Sequence, residues 1–175
     1  MVASADLSHR FEGESVGRAL ELVGERWTLL ILREAFFGVR RFGQLARNLN
    51  IPRPTLSSRL RMLVDAGLLE RVLYSRDPER HEYRLTDAGR DLFGAIVTLM
   101  RWGDEYLPHP SGPPVVLRHD ACGEIADPRL TCAHCGEEIT AHNVTPEAGP
   151  GFRTDVGESA NLSGPDSLRR RASPR

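Results

Sequence analysis

The sequence contains no lysine: all 23 basic residues among its 175 are arginine. Every cationic side chain is therefore a planar donor fork that stays protonated, suited to phosphate oxygens and guanine edges. Cysteine is scarce too. Its three copies, an odd number, all lie between residues 122 and 135. That excludes a disulfide framework spread along the chain and fits a reducing compartment with one local cysteine site. No apolar run approaches the ~18 residues that spanning a bilayer requires. The opening Met1-Val2-Ala3-Ser4-Ala5-Asp6 has neither the basic patch nor the apolar stretch of a secretory signal. Membrane, secreted and collagen-like classes are set aside, and a cytoplasmic protein is expected. The length suits one compact domain with appendages.

Excess charge of one sign is also missing. The formal net charge is −1, so no global attraction to nucleic acid or membrane follows. Segment by segment the charge is uneven. Residues 40–84 carry 10 arginines against 5 acids, net +5, whereas 1–39, 85–107 and 108–175 are each net −2. A basic middle between acidic flanks is a local anion-binding footprint. A surface laced with ion pairs would carry the same mixed signs.

The apolar pattern organises that same middle. Val16, Ala19, Leu20, Leu22 and Val23 recur at helical spacing from Ser15 and stop at Gly24. A second helix is expected from about Glu25 to Phe37, apolar on most sides and therefore central, with Trp27 as core packing in preference to the lining of an effector pocket. Arg41 to Asn48 predicts a short helix with Phe42 and Leu45 inward. Pro52 and Pro54 are tolerable only in a first turn and announce the next helix, with Leu56, Leu60, Leu63 and Val64 inside and Gly67 as its stop. Two alternating runs, Leu69–Tyr74 and His81–Leu85, joined across Asp77-Pro78-Glu79, predict a β-hairpin with His81 and Tyr83 on its surface. Thr86 is placed to cap a long final helix through Leu107, with Leu92, Ile96, Leu99 and Trp102 along one stripe.

Two short helices followed by a hairpin make a winged helix-turn-helix, an α+β fold that is mainly helical with a β-hairpin wing. Its second helix offers Arg53, Thr55, Ser57, Ser58, Arg59 and Arg61 outward, the donors and acceptors that base edges and phosphates require. Arg76 and Arg80 flank the tip of the wing, where phosphates or a minor groove would be met. The partner implied is double-stranded DNA.

The run Ser15-Val16-Gly17-Arg18-Ala19-Leu20-Glu21-Leu22-Val23-Gly24-Glu25-Arg26-Trp27-Thr28-Leu29-Leu30-Ile31-Leu32-Arg33-Glu34 resembles the opening of HxlR-type transcriptional regulators. Arg40-Arg41-Phe42, Thr55-Leu56-Ser57-Ser58-Arg59-Leu60, Ala66-Gly67-Leu68-Leu69 and Tyr83-Arg84-Leu85-Thr86 continue the resemblance in order, over about residues 14–107. It implies a homodimer whose first and last helices form the interface, presenting two recognition helices to a pseudo-palindromic operator. Many members carry a cysteine just before the first helix, and some sense oxidants or electrophiles through it. This chain has Glu14 there, and a carboxylate cannot do thiol chemistry. The signal sensed, if any, stays open.

Residues 108–115 form a proline-rich linker. Beyond it lie His119-Asp120-Ala121-Cys122-Gly123 and Cys132-Ala133-His134-Cys135-Gly136, each a ligand-x-x-ligand pair followed by glycine. This pattern suits a small zinc-ribbon-like segment over 116–152, with a structural Zn2+ held by Cys122, Cys132, Cys135 and His119. His134 competes for the fourth place, and a redox pair at Cys132 and Cys135 or no metal at all are the competing readings. Four protein ligands leave no open position, so the site would not be catalytic. An arm over 1–13 and a disordered tail over 153–175 complete the organisation, the tail ending in an arginine cluster. The expected function is sequence-specific transcriptional regulation, repression by default, in a bacterial, nucleoid-associated protein that is not an enzyme. The alternatives are a zinc-dependent interaction adaptor using the winged helix as a dimerisation scaffold and, more remotely, a metalloenzyme.

Overall fold

A computed structural model describes residues 14–146. The expected arm at 1–13, the last residues of the ribbon segment and the arginine-bearing tail at 153–175 lie outside the described residues. Six helices and one hairpin follow in the order α1 (Ser15–Val23), α2 (Arg26–Phe36), α3 (Phe42–Leu49), α4 (Arg53–Asp65), β1 (Leu69–Arg76), β2 (Glu79–Leu85), α5 (Asp87–Asp91) and α6 (Phe93–Tyr106). The chain divides into two compact units, one ending at Pro128 and the other beginning at Arg129. No helix of the described residues is long and apolar enough to cross a membrane.

Helix α1 begins at Glu14, whose carboxylate accepts from the N–H groups of Val16 at 3.0 Å and Gly17 at 2.9 Å. It thereby supplies partners for two of the amides that a helix start leaves orphaned. These bonds, the Val16 one foremost, hold the Glu14 carboxyl below its ordinary value, and Arg18 nearby adds to the effect. Helix α2 starts similarly, with Glu25 accepting from Trp27 N–H at 2.9 Å. It is the central helix, as expected: Ile31 and Leu32 are fully buried, and it packs against α1, α3, α4, α6 and β2. Leu45 of α3, Leu56, Leu60 and Leu63 of α4, and Leu69 of β1 close the same core.

A charged side chain sits inside it. Glu34, only 7% exposed, accepts from Asn48 Nδ2 at 2.8 Å and from Arg33 at 2.9 Å. A buried carboxylate is tolerable only with such partners, and the Asn48 bond fixes the end of α3 against α2.

The hairpin is antiparallel, with Leu69 opposite Leu85 and Arg76 opposite Glu79, and an irregularity between Leu73 and Ser75. Both strands run further toward the tip than the alternation predicts, because Ser75-Arg76 and Glu79-Arg80 are polar yet paired. Tyr83 packs against the core instead of lying on the strand surface.

The expected single final helix is divided. A turn at Leu92 separates α5 from α6. The cause lies at Gly89, where a Cβ would stand 2.1 Å from the Leu68 carbonyl oxygen. That close approach sets α5 against the connection between α4 and β1, while Thr86 caps α5 through Gly89 N–H at 3.1 Å and donates to the Gly67 carbonyl at 2.6 Å. Leu92 and Ile96 then pack inward, but Leu99 and Trp102 stay 55% and 50% exposed.

Candidate nucleic-acid interface

The geometry of α4 follows from its 100° step per residue. With Leu56, Leu60 and Leu63 buried, the opposite side carries Pro54, Ser58, Arg61 and Asp65. Arg53 and Ser57 lie on one flank, Thr55 and Arg59 on the other. Exposure agrees: Arg53, Ser57, Ser58 and Arg61 are exposed, whereas Thr55 and Arg59 are intermediate. No side chain caps the start of α4, which has proline in its first turn, so its positive end is left for an outside acceptor.

The eight candidate residues are not equivalent. Arg59 Nε lies 3.3 Å from Glu25 Oε2, the same oxygen that caps α2, so this arginine bolts α4 to the start of the central helix. Arg53 is stacked over the Phe42 ring of α3, 5.9 Å from its centroid. The Arg61 side chain makes no hydrogen bond or ion pair with the described residues, and neither do the side chains of Arg76 and Arg80 at the wing tip. Arg80 stands opposite Ser75, and Arg76 opposite Glu79. Arg71 and His81, by contrast, are engaged with one another at 2.9 Å, with His81 Nε2 3.5 Å from Glu79.

Two features that fix the wing escape a reading of the sequence. Tyr83 N–H donates to the Arg40 carbonyl at 2.8 Å, and Arg41 pairs in a bridge with Glu82. The Arg41 guanidinium lies over the Tyr74 ring, 4.6 Å from its centroid. The stretch before α3 is thus stitched to both strands, and the wing is tied directly to the helix pair. The Arg40-Arg41 doublet was the only available signal, and it does not distinguish a DNA contact from this internal role.

A profile of the HxlR-like helix-turn-helix matches residues 22–111. The chain belongs to the HxlR-like helix-turn-helix family. An uncharacterized HTH-type transcriptional regulator of Mycobacterium tuberculosis is 80% identical over 158 residues, which are 90% of this chain and 100% of that protein. The crystal structure of PA1607, assigned as a candidate transcription factor, has a TM-score of 0.70 at 34% identity and covers 81% of this chain and 99% of its own. PA1374 from Pseudomonas aeruginosa gives 0.56 at 35% identity, covering 79% and 94%. Those shares exceed the winged helix alone, so the likeness reaches into the C-terminal segment. This HxlR-like protein is a DNA-binding transcriptional regulator, and a winged helix serving only as an adaptor scaffold is not favoured.

The C-terminal donors fall in two similar turns. His119 Nδ1 lies 3.4 Å from Cys122 Sγ. The Cys132 thiol is drawn below its ordinary value, first by the N–H of His134, then by that of Cys135 and by the Cys135 side chain. Among the described residues no three His, Cys, Asp or Glu side chains group together in a way that could hold a metal ion. The first turn lies against α6, where Arg101 Nε meets Asp127 at 3.3 Å. Beside it a cleft of about 400 Å³ is lined by Val97, Met100, Val115, Val116, Leu117 and Ile125 among others.

Proposed function

We propose that the protein works as a homodimer on a pseudo-palindromic operator and represses by occupying it. The observation that carries this reading is the exposed face of α4. Ser57, Ser58 and Arg61 lie open there beside an uncapped helix start, and the unpaired Arg76 and Arg80 stand at the wing tip. Arg61 and Arg53 suit a guanine edge or a phosphate; Thr55, Ser57 and Ser58 suit base edges or phosphate oxygens. Arg59, paired through Nε, holds α4 in register and keeps its remaining N–H donors for a phosphate. Arg76 and Arg80 reach the backbone beside the groove.

The dimer is supported by apolar side chains that stay exposed among the described residues. Leu99, Trp102 and Tyr106 share one stripe of α6 at 55%, 50% and 62% exposure, and α1 adds Val16 and Leu20 at 61% and 55%. Trp102 and Tyr106 already stack, their centroids 5.5 Å apart. Apolar patches of this kind mark association surfaces, and a second copy would bring the same stripe by symmetry. No catalytic step belongs to this reading. Selection of bound sequences from a random DNA pool tests it. The expected product is two inverted half-sites about 10 base pairs apart, centre to centre. A pool that stays random would refute sequence recognition, and a single unpaired half-site would refute the dimer.

A further inference from the structure

We propose that the cleft beside α6 binds a small amphipathic cation, an apolar body of aliphatic or aromatic carbon that carries one ammonium-type charge. The cleft lies wholly within the unit that ends at Pro128. One wall is α6, with Val97 and Met100; the other is the irregular chain after the helix, with Val115, Val116 and Ile125. That second wall is a defined piece of backbone. Ala126 N–H donates to the Leu117 carbonyl at 2.8 Å, and Arg118 forms a bridge with Ile125. The two walls are tied together by Arg101, whose Nε stands 3.3 Å from Asp127 Oδ1. Between them is about 400 Å³, within the range of roughly 300–1,000 Å³ that holds a small organic ligand. Val115, Val116 and Ile125 remain 42%, 53% and 60% exposed, so apolar surface is there for a ligand body to cover.

Charge decides what that body carries. The ionisable side chains lining the cleft are Arg101, Asp104, Glu105 and Asp127, one cation against three carboxylates. Arg101 is shared between Glu105 at 3.5 Å and Asp127 at 3.3 Å, so that trio keeps one uncompensated negative charge. Asp104 adds a second, because its side chain makes no hydrogen bond or ion pair with the described residues. An anionic ligand would be repelled, and a neutral one would leave the excess unanswered. Among the described residues the carboxylates do not group as a metal site, and the apolar walls call for carbon. At 100° per residue, Val97, Met100, Arg101 and Asp104 fall on the side of α6 away from Leu99, Trp102 and Tyr106. The cleft therefore stays open whether or not a second copy covers that exposed stripe, and a ligand there needs neither the homodimer nor the operator.

The test uses the full chain and phenylbutylamine, an alkylamine that is protonated at neutral pH. Phenylbutanol and phenylbutyrate offer the same body with no charge and with a negative one. Titration followed by methyl NMR reads affinity and place together. The amine should shift the methyls of Val97, Met100, Val116 and Ile125 and bind about tenfold more tightly than the butyrate, with the alcohol between them. Added salt should narrow that gap. Ile125→Ser should weaken the amine about fivefold. Asp104→Asn should weaken it about two- to fivefold and leave the alcohol unaffected. Both side chains are exposed, and unchanged methyl signals of Ile31 and Leu60 would show that the winged helix is intact in each variant. Asp91→Asn, on α5 and outside the cleft lining, should bind as the parent does. An amine that binds no better than the butyrate would overturn the proposal. So would an amine that leaves the cleft methyls unshifted, or one whose affinity is the same in Ile125→Ser and Asp104→Asn as in the parent.

Discussion

From Ser15 to Val97 every helix and strand buries at least one residue, and from Thr98 to Pro146 none does. The first stretch is held by an apolar core of seven fully buried aliphatic side chains from α2, α3, α4 and β1. The second keeps two sharply defined turns with Ile125, Leu130 and Val144 all more than half exposed. Apolar burial at about 25 cal/mol per Å² accounts for the one and has little to offer the other. Backbone hydrogen bonds that compete with water contribute only about 1 kcal/mol each. What defines the second stretch is local: backbone bonds that close each turn on a glycine, Gly123 and Gly136.

The sharpest way to break this contrast is to measure local stability in the two regions of the intact chain. Hydrogen exchange should show the amides of His119, Gly123, Cys132 and Gly136 far less protected than those of Ile31 and Leu60; equal protection in both regions would erase the distinction. The converse is Leu60→Ala, which should cost about 2–5 kcal/mol in urea unfolding of the winged helix and leave exchange at those C-terminal amides unchanged. At the DNA face, Arg61→Ala should lose about 1–3 kcal/mol of specific binding and relax preference at one base position. Arg76→Ala should weaken all sequences alike and lower the salt slope by about 1, as fluorescence anisotropy against salt would show. The smallest effect is expected at Glu14. Because its folded carboxyl titrates below the ordinary value, the cap contributes fully above the unfolded value and is lost as pH falls through the lowered one. The amides of Val16 and Gly17 should lose protection on acidification before those of α2, and Glu14→Gln should remove that pH dependence.

Much of the architecture was legible because glycine and proline punctuate it. Gly24, Gly38 and Gly67 end helices where they were read to do so, Pro52 and Pro54 begin one, and Asp77-Pro78 turns the hairpin. What escaped was set by contacts distant in sequence. The division at Leu92 has no mark at Leu92 itself; it arises from Gly89 against the Leu68 carbonyl. Arg59 reads as a free arginine on a polar face until Glu25, 34 positions earlier, is found beside it. Glu34 stands out as an acid within an apolar helix, yet its partner Asn48 reads only as a turn residue. For the binding face, residue type was readable from the sequence, whereas pairing was not.

The stitching of Arg40 and Arg41 to both strands of the hairpin has a consequence for the genome side of the complex. Because the wing cannot swing independently of α4, the offset along the duplex between the bases read in the groove and the flanking phosphates held by Arg76 and Arg80 is a constant of the protomer. A single nucleotide inserted into that interval would rotate one contact away from the other, so natural target sites should tolerate substitution there far better than any change in length.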